Sequence, residues 1–131
     1  MLQSIERAWA AGFFDGEGST LAERVTPGAG RGQPYLRLAM ELTQVDERPL
    51  RRFAAAVGSG RVQARPARLS PTRRQQASWR WRASHAEAER ALCALWPYLS
   101  EPKREQAMRV VDALEHDRAV RNAQALRLHA A

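Results

Sequence analysis

From Ile5 to Asp15 the chain carries an apolar segment notched by Gly12, and it ends in Asp15-Gly16-Glu17-Gly18. The spacing predicts a first helix over Ile5 to Asp15, capped by Ser4. Leu2, Ile5, Trp9 and Phe13 form a stripe of large residues suited to the domain's own core. Ala8, Ala11 and Gly12 form a stripe of small ones. Small-residue seams let a second helix backbone approach closely. A mid-helix glycine costs on the order of 1 kcal/mol relative to alanine, and tight helix packing is the simplest compensation. Gly16 and Gly18 then require a turn that leaves two carboxylates at the helix end.

The pattern downstream reads α-β-β-α-β-β-α-α, two αββ units in succession followed by further helix. Ser19–Val25 is a strand and Thr26–Pro34 a loop. Tyr35–Val45 is a strand alternating Leu36, Leu38, Met40 and Leu42 with polar residues. Asp46 caps a helix over Glu47–Val57, which Gly58-Ser59-Gly60 stops. Arg61–Arg65 is a strand and Pro66–Thr72 a loop. Gln75–Ala83 is a strand through Trp79 and Trp81. Ser84 caps a third helix reaching Trp96, and Pro97 breaks it. A last helix is expected over Pro102–Leu114. Residues 1–115 read as one domain and 116–131 as a helical or partly disordered tail.

The formal charge is +7, from 21 Lys+Arg against 14 Asp+Glu. From Arg48 to Ala86 there is no acidic residue, while ten arginines occur there. Such a block repels itself unless it meets an anion or is well solvated, so a polyanionic partner is expected. The single cysteine, Cys93, excludes an internal disulfide and reads as a buried thiol. The three histidines have no metal-ligand spacing. No apolar run approaches a membrane span, and Met1–Arg7 lacks the basic-then-apolar order of a signal peptide. An intracellular chain is expected: cytoplasmic, nucleoid-associated or organellar.

The segment Trp9–Ser19 resembles the signature of the LAGLIDADG homing endonucleases, an apolar small-residue helix ending in an acidic-glycine-acidic-glycine turn. Further pieces follow in that family's order: Leu42-Thr43-Gln44 at a strand end, Val57–Val62 as a helix-to-strand turn, and Leu95–Leu99 followed by Lys103 and Gln106. The resemblance implies an α+β, αββαββα fold whose curved four-stranded antiparallel sheet is a saddle for DNA, with extra C-terminal helices. It implies that Glu17 holds the metal, together with the backbone at Gly16. It gives Gln44, Arg48 and Lys103 catalytic places around the attacking water and the phosphate, and Asp15 a part in the helix-end structure.

The chemistry fits that reading. Phosphodiester hydrolysis needs charge stabilised on the phosphate and a hydroxide near neutral pH, and a divalent cation supplies both. Magnesium prefers oxygen ligands; Mn2+ is a possible substitute, and Ca2+ would support binding without cleavage. One carboxylate at a helix end does not fill such a site, whereas two helix ends joined along a small seam supply a pair. With one such helix, the chain is expected to form a homodimer through Ala8, Ala11, Gly12 and Asp15.

Arginine and glutamine suit bidentate readout of guanine and adenine in the major groove. Strand alternation directs Ser19, Leu21, Glu23, Arg37 and Glu41 outward in the first two strands. In the third and fourth strands it directs Arg61, Gln63, Arg65, Arg80 and Arg82 outward, because burying Trp79 and Trp81 is cheaper than burying arginine. Loop residues Arg68, Arg73, Arg74, Gln75 and Gln76 complete the expected DNA surface. The leading expectation is a homodimeric, metal-dependent endonuclease cutting both strands of a long, near-palindromic duplex site to leave short 3′ overhangs, encoded in an intron, an intein or a free-standing mobile element. Alternatives are a non-cleaving regulator or RNA-splicing helper of the same fold, and a small basic structural protein binding by charge alone.

Overall fold

The computed structural model describes residues 1–130. The elements are α1 (Leu2–Glu17), β1 (Gly18–Val25), β2 (Tyr35–Gln44), α2 (Glu47–Val57), β3 (Arg61–Arg65), β4 (Arg68–Leu69), β5 (Arg74–Gln75), β6 (Ser78–Ser84), α3 (Ala86–Leu95), a 3-10 turn (Trp96–Tyr98) and α4 (Glu101–Ala130). Four strands form an antiparallel sheet in the order β1-β2-β6-β3, and β4 and β5 pair as a separate small hairpin. Each αββ unit thus contributes one edge strand and one central strand. Among the described residues no helix is long and apolar enough to cross a membrane.

Register decides which side of the sheet each residue serves. Leu42 pairs with Trp81 and Met40 with Ala83, and these four are buried in the core with Leu38. The tryptophans therefore take the inner face and Arg80 and Arg82 the outer one, as the burial argument expects. Phe53 meets Trp81 edge-on at 4.7 Å between ring centroids and stacks with Phe14 at 6.2 Å. Such pairs contribute about 0.5–1.5 kcal/mol beyond their buried area. The Trp81 indole N–H donates to Ser59 O at 3.0 Å, so this large side chain leaves no orphaned donor in the core.

Several local expectations are corrected. α1 begins at Leu2 with Met1 as N-cap, and Ser4 lies within the helix rather than capping it. No turn intervenes between α1 and β1: Gly16 is still helical and Gly18 is extended, at φ −95 and ψ 165. Gly18 is needed for space, since a Cβ there would overlap the Phe14 ring. α2 starts at Asp46 as expected, whose carboxylate accepts from the Arg48 N–H. The fourth long strand is Ser78–Ser84, because Arg74–Gln75 turns back onto Arg68–Leu69. Ser84 stays in that strand, and His85 is the residue at the start of α3. Cys93 is exposed rather than buried. The last helix runs unbroken from Glu101 through position 115 to Ala130; Ala131 lies outside the described residues. The Asp117 carboxylate accepts from Leu36 N–H at 3.1 Å, so the continuation of α4 is tied to the start of β2.

Two positions carry opposite backbone costs. His85 adopts φ 54 and ψ −128, because its N–H donates to Leu38 O while its carbonyl accepts from Glu89 N–H. A side chain in that region costs on the order of 1–3 kcal/mol. Gly60 has φ +86 and a Cβ would strike the Trp81 indole. Urea denaturation is expected to show His85→Gly raising stability by about 1 kcal/mol. Gly60→Ala is expected to lower it by roughly 2 kcal/mol or more.

Candidate nucleic-acid interface and acidic helix tip

The helix tip is built by three ties to α4. Ser100, the residue before α4, donates its N–H and hydroxyl to the Asp15 carboxylate at 3.1 and 2.9 Å. Lys103 Nζ donates to Gly18 O at 2.5 Å and sits 5.8 Å from the Phe14 ring centroid. Gln106 Oε1 accepts from Thr20 N–H at 3.2 Å. Asp15 is thus engaged within its own chain, in keeping with a part in the helix-end structure. The signal for this was the Ser100-Glu101-Pro102 helix start, which the sequence reading did not connect to Asp15.

Glu17 stands exposed beside these ties, with no hydrogen bond or ion pair among the described residues. The last carbonyls of a helix lack intrahelical donors, and the helix dipole places partial negative charge there. Glu17 and the Gly16 carbonyl therefore present hard oxygen donors at a cation-attracting helix terminus. That donor set fits magnesium or calcium, which take carboxylate and carbonyl oxygens. Among the described residues no group of three or more His, Cys, Asp or Glu converges within one chain.

The remaining expected catalytic residues divide. Gly18 pairs with Leu42, so the α1 tip and Gln44 lie at the same end of the sheet, with Lys103 bonded there. Gln44 is half-buried opposite Trp79 and shares strand parity with Leu42 rather than with the outward Thr43. Arg48 is exposed and folds back on Asp46, with Nε at 3.0 Å and Nη2 at 2.5 Å from its carboxylate. The structure shows Arg48 as that carboxylate's partner.

The small residues of α1 divide between the chain's own core and its surface. Ala11 is fully buried in its own core with Ala10 and Phe14, while Trp9 and Phe13 pack half-buried against that core. Leu2 and Ile5, assigned to the core by the stripe argument, are 80% and 56% exposed. The uncovered face is Ile5, Ala8, Gly12 and Gly16, and a Cβ at either glycine would meet nothing within 4 Å.

The acid-free stretch resolves into two populations. Arg48, Arg51 and Arg52 on α2 are paired with Asp46, Glu47 and Glu6, and Arg52 also lies 3.9 Å over the Trp9 ring. Arg61, Arg65, Arg68, Arg73, Arg74 and Arg80 have no ion pair among the described residues. Arg61, Gln63 and Arg65 pair with Arg82, Arg80 and Ser78 across the outer face of β3 and β6. Arg65, Arg68, Gln75 and Arg80 line one pocket beside the hairpin. Arg68, Arg73, Arg74, Gln75 and Gln76 are exposed at that end. An unpaired cationic surface of this kind, with polar donors between the arginines, suits a phosphate-lined groove.

On the outer face of β1 and β2, Ser19 is exposed and Leu21 half-buried, while four expected DNA readers are engaged with one another. Glu23 stands opposite Arg37 and bonds its Nε at 2.6 Å. Glu41 stands opposite Arg82 and accepts from Nη1 at 3.5 Å. Arg82 also reaches Glu23. These cross-strand acids are legible only once register is known.

The fold is that of the LAGLIDADG homing endonucleases. The chain superposes on I-CvuI, solved in complex with its target Sro1.3 in the presence of Ca, with TM-score 0.72 and 21% identity, covering 95% of this chain and 75% of that one. It also superposes on I-CvuI with the I-CreI target in the presence of Mg, where the DNA is not cleaved (TM-score 0.69, 22% identity, 87% and 68% covered). The group I intron-encoded I-CeuI complexed with DNA gives TM-score 0.65 at 14% identity, over 85% of this chain and 54% of that one. No protein-family model and no curated protein sequence matches the chain.

The site's carboxylates impose an acid limit. Partial burial opposes ionisation of Glu23, but hydrogen bonds from Arg37 and Arg82 outweigh it and hold the group below its ordinary 4.5. The Arg48 guanidinium and N–H lower Asp46 from 3.8 to about 2. Depressed carboxylates contribute stability that is present above the unfolded value and lost as pH falls through the folded one. Denaturation midpoints are therefore expected to fall as pH drops from about 4.5 towards about 2. The wild-type advantage over Glu23→Gln is expected at neutral pH and should vanish in acid.

Proposed function

We propose that this chain is a single-motif LAGLIDADG endonuclease. In this reading two copies pair along α1, and the pair hydrolyses both strands of a long, near-palindromic duplex site with divalent metal, Mg2+ foremost. The observation that carries the proposal is the free carboxylate of Glu17 at a helix terminus whose neighbouring outward face is glycine-notched and uncovered. Its fold and its unpaired arginine surface support the same reading, and I-CvuI and I-CeuI, which share the fold, are homing endonucleases solved with DNA.

Each residue group has a separate task. The unpaired arginines of β3, β6 and the hairpin contact phosphates and base edges and set the duplex along the sheet. Ile5, Ala8, Gly12 and Gly16 admit the second copy's α1 closely, which brings two Glu17 carboxylates to one place. Glu17 and the Gly16 carbonyl would hold the cation, which supplies charge neutralisation at the phosphate and a hydroxide at neutral pH. Lys103, held on Gly18 O, keeps a positive charge beside the tip where a phosphate oxygen would lie. Cleavage of the two strands near the shared tip would leave the short 3′ overhangs.

Glu17→Gln is expected to lower cleavage of a selected duplex by about a hundredfold or more while the mobility-shift affinity persists. Simultaneous loss of binding would remove the catalytic assignment, and selective binding without cleavage by the wild type in Mg2+ or Mn2+ would favour a non-cleaving regulator. Gly12→Glu adds a charge into open space on the protomer. Sedimentation is expected to show folded single copies, with cleavage lost; an unchanged oligomeric state would contradict pairing through α1.

A further inference from the structure

The outer face of the sheet is cationic at the β3, β6 and hairpin end but balanced on β1 and β2. There Glu23, Arg37, Glu41 and Arg82 form one connected group in which every side chain is 23–35% exposed. Its two arginines are held differently. The Arg37 guanidinium makes one hydrogen bond among the described residues, from Nε to Glu23, which leaves the terminal edge of its fork open. Arg82 has one terminal nitrogen on each of the two carboxylates, Glu23 and Glu41. Ala39 lies between Arg37 and Glu41 on this face, pairs with Leu21 and Ser84, and is fully buried without belonging to the core cluster. Only a small side chain at that crossing lets the longer ones lie over it.

We infer that Glu23 is a positioning residue for sequence readout. It holds Arg37 by Nε so that the terminal fork faces a guanine in the major groove, while Arg82 acts as the bridge that fixes Glu23 and Glu41. The inference rests on the DNA-binding reading above and assigns it a particular base contact. A guanidinium has five N–H donors in a planar fork, and bidentate pairing with guanine O6 and N7 needs two. A free arginine loses much rotamer freedom on binding, whereas one already held in place loses less. The bond at Nε therefore orients Arg37 without occupying the edge that reads the base. Arg82, with both terminal nitrogens engaged, is not presented for readout in the same way.

The test is selection from a randomised duplex library with full-length protein, comparing wild type, Glu23→Gln, Arg37→Lys and Arg82→Lys. Wild type is expected to prefer guanine at one position in each half-site by about tenfold or more. Glu23→Gln and Arg37→Lys are expected to relax that same position to within about threefold of the other bases, with the remaining positions retained. Arg37→Lys removes the fork without removing the carboxylate, and thermal melting establishes that each variant is folded. Arg82→Lys is expected to weaken the preference at that position less than Arg37→Lys does. Retention of the guanine preference in folded Glu23→Gln, alongside its loss in Arg37→Lys, would overturn the assignment alone. A larger loss in Arg82→Lys than in Arg37→Lys would reverse the roles and overturn it as well. Failure of the wild type to enrich any sequence would overturn the site-specific reading together with this one.

Discussion

The close approach of Phe14 to Gly18 is the constraint on which the rest depends. α1 enters β1 without a loop because residue 18 has no side chain and the Phe14 ring occupies the space a Cβ would take. A loop there would let the acid-bearing tip swing relative to the sheet. As built, the tip is a rigid extension of the strand that begins at Gly18. The bonds from Ser100, Lys103 and Gln106 then clamp it from α4. Glu17 is left unbonded on a support that is itself fixed on both sides.

The sheet divides its work by charge. Arg61 stands directly opposite Arg82, and like charges facing each other across strands are destabilising. The cost is contained because Arg82 is drawn toward Glu23 and Glu41, leaving Arg61 to face outward. Repetition of unpaired arginine through Arg65, Arg80 and the hairpin is a cost that a polyanion removes. On α2 no such demand exists, since the arginines there lie beside acids from α1 and from the helix's own start.

The sequence exposed the plan of this molecule more than its details. The strands around Leu38, Met40 and Leu42 and the helix after Asp46 were legible because hydrophobic period and capping chemistry agree there. The face of β6 was legible because burying tryptophan and exposing arginine dominate the alternatives. The face of α1 was not, because its stripes had to be assigned by residue size. Size favoured Ile5 for the core, whereas the tight crossing beneath selects Ala10 and Ala11. Asp15 was expected to serve the helix-end structure, but its distant partner Ser100 is not legible from spacing, and Arg48 looked chemical yet is paired with its neighbour Asp46. The pairing of Glu23 with Arg37 needed strand register, which a nine-residue loop of glycine and proline leaves open in the sequence.

The buried alanine at the sheet's outer crossing carries a consequence for change over time. Because Ala39 is small, four charged side chains interlock above it. In the proposed reading, exchange of Glu23 or Arg37 would alter a local lattice of donors while the unpaired arginines around the hairpin keep their hold on the backbone. Under that reading the base preference at this one crossing would change while the arginine-rich rim still holds the duplex, so such a chain would drift toward new targets without first releasing the old ones.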